Sequence, residues 1–231
     1  MDISKYQALA DQKFGGLSDL NLLITAFTHR SYLNEHKKTV TAHNERLEFL
    51  GDAVLELVVT EFLYANYSDP EGILTNWRSA LVRTESISAA ASREGFEPLL
   101  RLSRGEKRGS ERARQQILAN CYEAVIGAVY LDKGYEAAKK FISSSLLPTF
   151  QDILKDGSWM DPKSRLQEMV QSRDGFTPLY KVLSEDGPDH DKTFVIGVFV
   201  DNQLIGQGTG PSKQAAQVAA ATEALKNYSA A

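Results

Sequence analysis

The stretch His43-Asn44-Glu45-Arg46-Leu47-Glu48-Phe49-Leu50-Gly51-Asp52-Ala53-Val54 opens a run that stays periodic to Tyr67. Leu47, Leu50, Val54, Leu57, Val58 and Phe62 recur at helical spacing, which predicts one long helix with an apolar stripe. Glu48 and Asp52 are four residues apart on that helix, so their carboxylates share a face, and Glu45 precedes Glu48 by one turn. Like charges crowded beside a core repel one another. A hard divalent cation such as Mg²⁺ takes carboxylate oxygens and would relieve that repulsion. An acidic face turned to water is the other reading the spacing allows.

Working outward, residues 1–150 read as helix after helix. Leu20, Leu23, Ile24 and Phe27 keep helical spacing, and Asn76 to Glu94 reads as a helix stopped by Gly95. Ile117 to Leu131 is strongly apolar and ends at Asp132-Lys133-Gly134, and Tyr135 to Leu147 follows before Pro148. No strand signal occurs in this half, which is expected to be all-α. Asn120 and Glu123 lie three apart on the Ile117 helix, where a lone Glu in an apolar run is costly unless paired. Pairing across helices through a metal would account for both acidic sites; a simple hydrogen-bonded pair is the alternative.

The pattern changes near Lys155-Asp156-Gly157-Ser158. The expected organisation is a helical domain over 1–153, a linker over 154–160 and a second domain over 161–231. Asp161-Pro162 opens a helix to about Arg173, with proline at the first helical position. Leu179–Ser184, Thr193–Val200 and Leu204–Gln207 read as strands, the last two joined by a short hairpin through Asp201-Asn202-Gln203. Ser212 caps a helix from Lys213 to about Tyr228. The order α-β-β-β-α in about 70 residues describes a small α+β domain.

The 231 residues are 42 % hydrophobic and 24 % charged, which suits a globular chain and excludes disordered and fibrous classes. The longest uncharged apolar run, Ala124 to Leu131, falls far short of the roughly 18 residues a membrane span needs. The first residues contain no apolar core of a secretory signal, and a single cysteine, Cys121, suits a reducing compartment, so a cytoplasmic location is expected. Through residue 155 the chain carries 19 basic and 20 acidic residues, and beyond it 7 and 10. Neither part shows the positive excess that marks many nucleic-acid binders.

The residues nonetheless resemble a known family. The run from His43 to Asp52 is similar to the signature of bacterial ribonuclease III, an endonuclease of double-stranded RNA. Thr28-His29-Arg30-Ser31-Tyr32 and the run from Glu123 to Asp132 match its other blocks in the same order. The C-terminal unit, with Gly187-Pro188-Asp189-His190 and Pro211-Ser212-Lys213, resembles its double-stranded-RNA-binding domain. The resemblance covers nearly the whole chain. It implies an all-α endonuclease domain followed by a small α+β (α-β-β-β-α) RNA-binding domain.

Carried over by motif, the resemblance implies that Glu48, Asp52, Asn120 and Glu123 form the metal site, with Asp52 and Glu123 catalytic. Glu45 and Glu71 would be further acids of the valley, Glu71 through the dimer. Mg²⁺ is the implied cofactor, with Mn²⁺ a substitute, and no small-molecule cofactor or membrane is involved. The implied assembly is a homodimer whose two centres cut opposite strands of precursor rRNA and other structured RNAs. The products carry 5′ phosphates and short 3′ overhangs. Phe49 is a candidate interface residue or ordinary core.

Two departures stand out. Asn120 occupies a position where the family usually has Asp; its amide oxygen is a neutral ligand, so a higher Mg²⁺ requirement is expected. The alternative is an RNA-binding regulator of the same fold with impaired cleavage. In the second domain, Gln214 and Gln217 stand where Lys or Arg is common, though Lys213 is kept. By motif, Ser164, Gln167, Glu168 and Gln171 face one minor groove of the duplex, His190 the next, and Ser212 and Lys213 the phosphates between. Fewer cations predict a shallower salt dependence. The basic run Arg104 to Arg114 reads as a loop that either holds phosphate near the cut or is a mobile surface segment. His29, His36 and His43 fall seven apart but lack the partners of a zinc site, and Cys121 reads as buried filler.

Overall fold

The computed structural model describes residues 3–157, 159–188 and 192–228. The chain divides into two compact units, residues 1–153 and 154–231. The first contains helices Ser4–Phe14 (α1), Leu20–Ala26 (α2), Arg30–Glu35 (α3), Glu45–Asn66 (α4), Glu71–Val82 (α5), Thr84–Arg93 (α6), Glu111–Lys133 (α7) and Tyr135–Ser145 (α8); Phe150–Asp156 (α9) runs across the division. In the second, helix Pro162–Asp174 (α10) precedes strands Leu179–Asp186 (β1), Thr193–Val200 (β2) and Gln203–Gly210 (β3) and helix Lys213–Tyr228 (α11).

α7 is the central rod of the first unit. Ser110 caps it by accepting the Ala113 N–H at 3.3 Å, and Gly134, at φ 78°, ends it. Leu118, Cys121, Tyr122, Val125, Ile126 and Val129 are buried around its circumference, as expected of a helix packed on several sides. Its one buried hydroxyl is satisfied: Tyr122 and Ser145 share a 2.6 Å hydrogen bond. α4 begins where Asn44 N–H donates to the Thr28 carbonyl at 2.9 Å. Thr28 itself is held by a single parallel bridge to Arg101, the one extended pairing among the described residues of a unit expected to be wholly helical.

Three expectations need correction here. The single helix read over 76–94 is two, α5 and α6, which part at Arg83, an extended residue with ψ 153°. Ser86 Oγ donates to the Ala80 carbonyl at 2.7 Å and so occupies an acceptor that a continuous helix would use. The apolar phase runs on from Trp77, Ala80 and Leu81 to Ile87, which is why periodicity alone merges the two. α7 starts six residues before Ile117 because its first turns are polar and exposed. The segment from Arg104 to Arg114 is therefore not all loop: Glu106–Arg108 is a 3₁₀ turn, and Arg112 and Arg114 are on α7.

In the second unit, Asp161 accepts the Ser164 N–H at 3.1 Å to cap α10. The strands form one antiparallel sheet in the order β1-β2-β3. β2 and β3 meet through Asp201 (φ 45°) and Asn202 (φ 63°), the two left-handed residues of a tight hairpin. β1 and β3 extend beyond the strands read from the sequence. Leu166 and Val170 of α10 pack with Val198, Val200, Ala220, Ala221 and Ala224 to form the core.

Candidate active site

α4 crosses α7 backbone against backbone. A Cβ built at Gly51 would overlap the Glu123 carbonyl and stand 2.9 Å from Gly127 N; one at Gly127 would overlap the Leu47 carbonyl and stand 3.3 Å from Gly51 N. This contact brings Glu48 and Asp52 of α4 into electrostatic reach of Glu123 on α7. Burial, reinforced by Asp52 and Glu48, pushes the Glu123 carboxyl up to about 8. Glu48 is half-buried, and its Oε2 is enclosed with no hydrogen-bond partner. Burial and then Glu45 raise its pKa, the Asn120 side chain opposes that rise, and Asp52 adds to it.

The donor set is carboxylate and amide oxygen, the kind a hard divalent ion takes. Among the described residues no three His, Cys, Asp or Glu side chains stand close enough to grip an ion as they are. Burial, then their neighbours' charge, nonetheless raises Glu48 and Glu123, and the enclosed Glu48 Oε2 has no hydrogen-bond partner. These residues therefore fit a cation. Asn120 is half-buried, and its Oδ1 accepts a 2.7 Å hydrogen bond from Gln116 Nε2. Gln116 was not singled out by the sequence reading, although its place one turn before Asn120 is the available signal.

Of the other acids, Glu45 lies at the cluster's edge, 3.7 Å from Arg30 Nη1 and 3.8 Å from His43 Nδ1. Glu71 is elsewhere. It opens α5 and lines a groove of about 390 Å³ with Leu63, Tyr64, Leu74 and Arg78. Tyr64 is twelve residues beyond Asp52, about 18 Å along the helix, so one chain does not bring Glu71 to the carboxylates. Phe49 is no core residue: it is 81 % exposed. Leu57, expected in the core stripe, is 51 % exposed, and with Phe49 and Tyr64 (82 %) it forms an apolar ridge along α4.

The histidines take separate tasks. His29 Nδ1 accepts the Ser31 N–H at the start of α3, His36 stacks on Tyr32 at 3.9 Å, and His43 Nδ1 is buried without a hydrogen bond. Cys121 is fully buried, and burial drives its thiol well above the ordinary range. The basic segment is tied down by Arg114, which pairs with Glu97 at 2.6 Å and donates to the Lys107 carbonyl at 3.2 Å.

In the second unit Ser164, Gln167, Glu168 and Gln171 are exposed on α10, away from the buried Leu166 and Val170. Ser212 Oγ accepts the Ala215 N–H at the head of α11, and Lys213 is exposed, its ammonium 5.6 Å from the Phe194 ring centre. Gln217 accepts a 2.6 Å bond from Lys163, which also lies over Tyr180. A cation from α10 thus reaches a position on α11 that lacks its own. His190 lies outside the described residues.

Residues 19–150 match a family model described as Ribonuclease-III-like, and residues 162–228 match the double-stranded RNA binding motif. Among curated proteins, the chain is similar to Ribonuclease 3 of Streptococcus gordonii, 42 % identical over 231 residues and 97 % of each chain. It is 44 % identical over 210 residues to Ribonuclease 3 of Enterococcus faecalis, covering 90 % of this chain and 91 % of that one. A solved nuclease domain of ribonuclease III from Campylobacter jejuni, described as flexible in a region involved in dimer formation, is 37 % identical with a TM-score of 0.54. It covers 61 % of this chain and 97 % of its own.

Proposed function

Since the chain belongs to the ribonuclease III family of endoribonucleases, we propose that it cuts both strands of double-stranded RNA by Mg²⁺-assisted hydrolysis, Mn²⁺ being a substitute. The carrying observation is the crossing of α4 on α7, which sets Glu48, whose Oε2 has no hydrogen-bond partner, and Asp52 near the raised Glu123. Glu48, Asp52 and Glu123 would hold the ion, with Asn120 beside them. When bound, the ion would polarise the phosphoryl oxygen and stabilise the leaving 3′ oxygen. Asp52, the exposed carboxylate of the three, would take a proton from the attacking water. Without the ion Glu123 keeps its proton to about pH 8, so loading the ion at neutral pH would release that proton.

The second unit positions the duplex. α10 presents Ser164, Gln167, Glu168 and Gln171 to a minor groove, and the head of α11 presents Ser212 and Lys213 to phosphate, as shape-based recognition of A-form RNA requires. The α4 ridge would pair two copies into a homodimer, so that two centres act on opposite strands and leave 5′ phosphates with short 3′ overhangs. Precursor rRNA and other structured RNAs are the substrates this implies. No helix among the described residues is long and apolar enough to cross a membrane, and the buried lone thiol suits a reducing cytoplasm.

A long RNA duplex incubated across a Mg²⁺ titration tests the reading. Discrete short products are expected, and Glu123→Gln should slow their formation by more than the roughly 10–100-fold typical of groups that only support a metal ligand. Undiminished cutting by Glu123→Gln would reject the site. Bound but uncut RNA, with cutting restored by Asn120→Asp, would instead make the chain a binder, a reading the relatives do not favour.

A further inference from the structure

We propose that Lys163 is a phosphate-binding cation of the second unit, held between α10 and α11 by Gln217 and the Tyr180 ring so that it joins Lys213 on the RNA backbone. The inference rests on the reading that α10 and the head of α11 face the duplex.

Lys163 is the second residue of α10, yet its ammonium lies against α11. Its Nζ donates to Gln217 Oε1 at 2.6 Å and stands 5.1 Å from the centre of the Tyr180 ring. An amide oxygen and a ring face attract a cation without cancelling its charge. Among the described residues no carboxylate comes within ion-pair distance of Lys163. Asp161 is committed to the α10 cap, where it accepts the Ser164 N–H at 3.1 Å and the Ser164 hydroxyl at 3.3 Å. Lys192 of the same unit differs, since Glu185 pairs with it at 2.7 Å. Lys163 is thus fixed in place and still carries a charge for a ligand to meet.

The place of that charge names the ligand. Lys163 lines a cavity of about 330 Å³ with Ser164 and Gln167 of α10 and Gln214 of α11. Ser164 and Gln167 are the minor-groove positions, and Gln214 follows Lys213 in the first turn of α11. The ammonium therefore stands between a face that reads the groove and one that reads phosphate, where the sugar–phosphate backbone passes from one to the other. α11 is neutral there, at Gln214 and Gln217, and Lys163 supplies the missing charge from the neighbouring helix. Anchoring a long side chain before the RNA arrives also lowers the ordering cost of binding.

The test measures binding of the full chain to RNA duplexes of two unrelated sequences, in chelator to prevent cutting, by fluorescence anisotropy at four ionic strengths. Lys163→Gln should weaken both duplexes alike and lower the slope of log K against log salt by about one. Lys163→Arg should keep the parent slope. Gln217→Glu, which leaves Lys163 in place and neutralises it by pairing, should lower the slope as Lys163→Gln does, so the result does not depend on how well one truncated variant folds. Lys181→Gln is the control. Lys181 also lies over a ring, 4.9 Å from the centre of Phe199, but it follows Tyr180 on β1 and so projects from the opposite face of the sheet. Its loss should leave the slope unchanged, and an equal fall for Lys181→Gln would overturn the inference. So would parent slopes for both Lys163→Gln and Gln217→Glu while Lys213→Ala lowers the slope, an outcome that leaves the RNA-facing reading of α10 and α11 standing. Slopes that Lys213→Ala does not change either would overturn both.

Discussion

Gly51 and Gly127 face each other where the two longest described helices cross, and neither leaves room for a β-carbon. In an exposed helix, replacing glycine by alanine stabilises by about 1 kcal/mol. At this crossing a methyl group would meet the backbone of α7, and overpacking of that kind costs about 1–3 kcal/mol. Gly51→Ala should therefore lower the midpoint of urea unfolding and, by separating the helices, weaken Mg²⁺ binding. A variant as stable as the parent would show that the helices slide apart without cost.

Glu123 should make the ion-free protein less stable as pH rises. Its folded carboxyl titrates near 8, against an ordinary value of 4.5. Between those two values the folded state holds a proton that the unfolded chain has lost, so the folded state loses ground until both are ionised. In chelator at pH 8, Glu123→Gln should melt above the parent, by about 2–4 °C for each kcal/mol in a chain of this size. At pH 4 the difference should vanish. Added Mg²⁺ should raise the melting temperature of the parent and not of the variant, by linkage to the folded state. Differential scanning calorimetry at three pH values checks all of this; a parent that melts above Glu123→Gln at pH 8 in chelator contradicts it.

Binding of duplex RNA should depend on salt less steeply than a domain with a full basic cluster would require. Lys213→Ala should weaken affinity and reduce the slope of log K against log salt by about one. Gln167→Ala, placed to read groove shape, should weaken affinity and leave the slope unchanged. Fluorescence anisotropy at four ionic strengths separates the two; equal slopes for parent and Lys213→Ala would remove Lys213 from the phosphate contacts.

The ridge of Phe49, Leu57 and Tyr64 should hold two copies together. Large exposed apolar side chains in a continuous row are the mark of an interface. Phe49→Ser, which removes a ring already 81 % exposed, should leave the monomer folded and weaken self-association by tenfold or more, as removal of an aromatic anchor does. Sedimentation velocity across a dilution series reads the effect directly. A parent that sediments as a monomer at all concentrations would refute the homodimer.

Much of this was legible from residue spacing. The i, i+4 carboxylates of α4 and the i, i+3 pair of α7 declared themselves because helical phase is a local property. The break at Arg83 and the early start of α7 did not, since the first leaves the apolar phase intact and the second lies in turns with no buried face. Nor could spacing show that Phe49 and Leu57 are left uncovered, because an apolar stripe does not say how much of it a single chain can bury. The Gln116 bond was within reach of a local reading. The Gly51–Gly127 meeting was not, because it depends on which two helices cross.

The acidic stripe and the apolar ridge are borne by one continuous helix; at about 100° per residue, Asp52 lies only about 60° round from Phe49. No loop or hinge intervenes between them. A wedge driven under Tyr64, in the groove it shares with Leu74 and Arg78, would thus tilt a lever whose other end carries Glu48, and could silence the centre from three turns away without approaching the RNA.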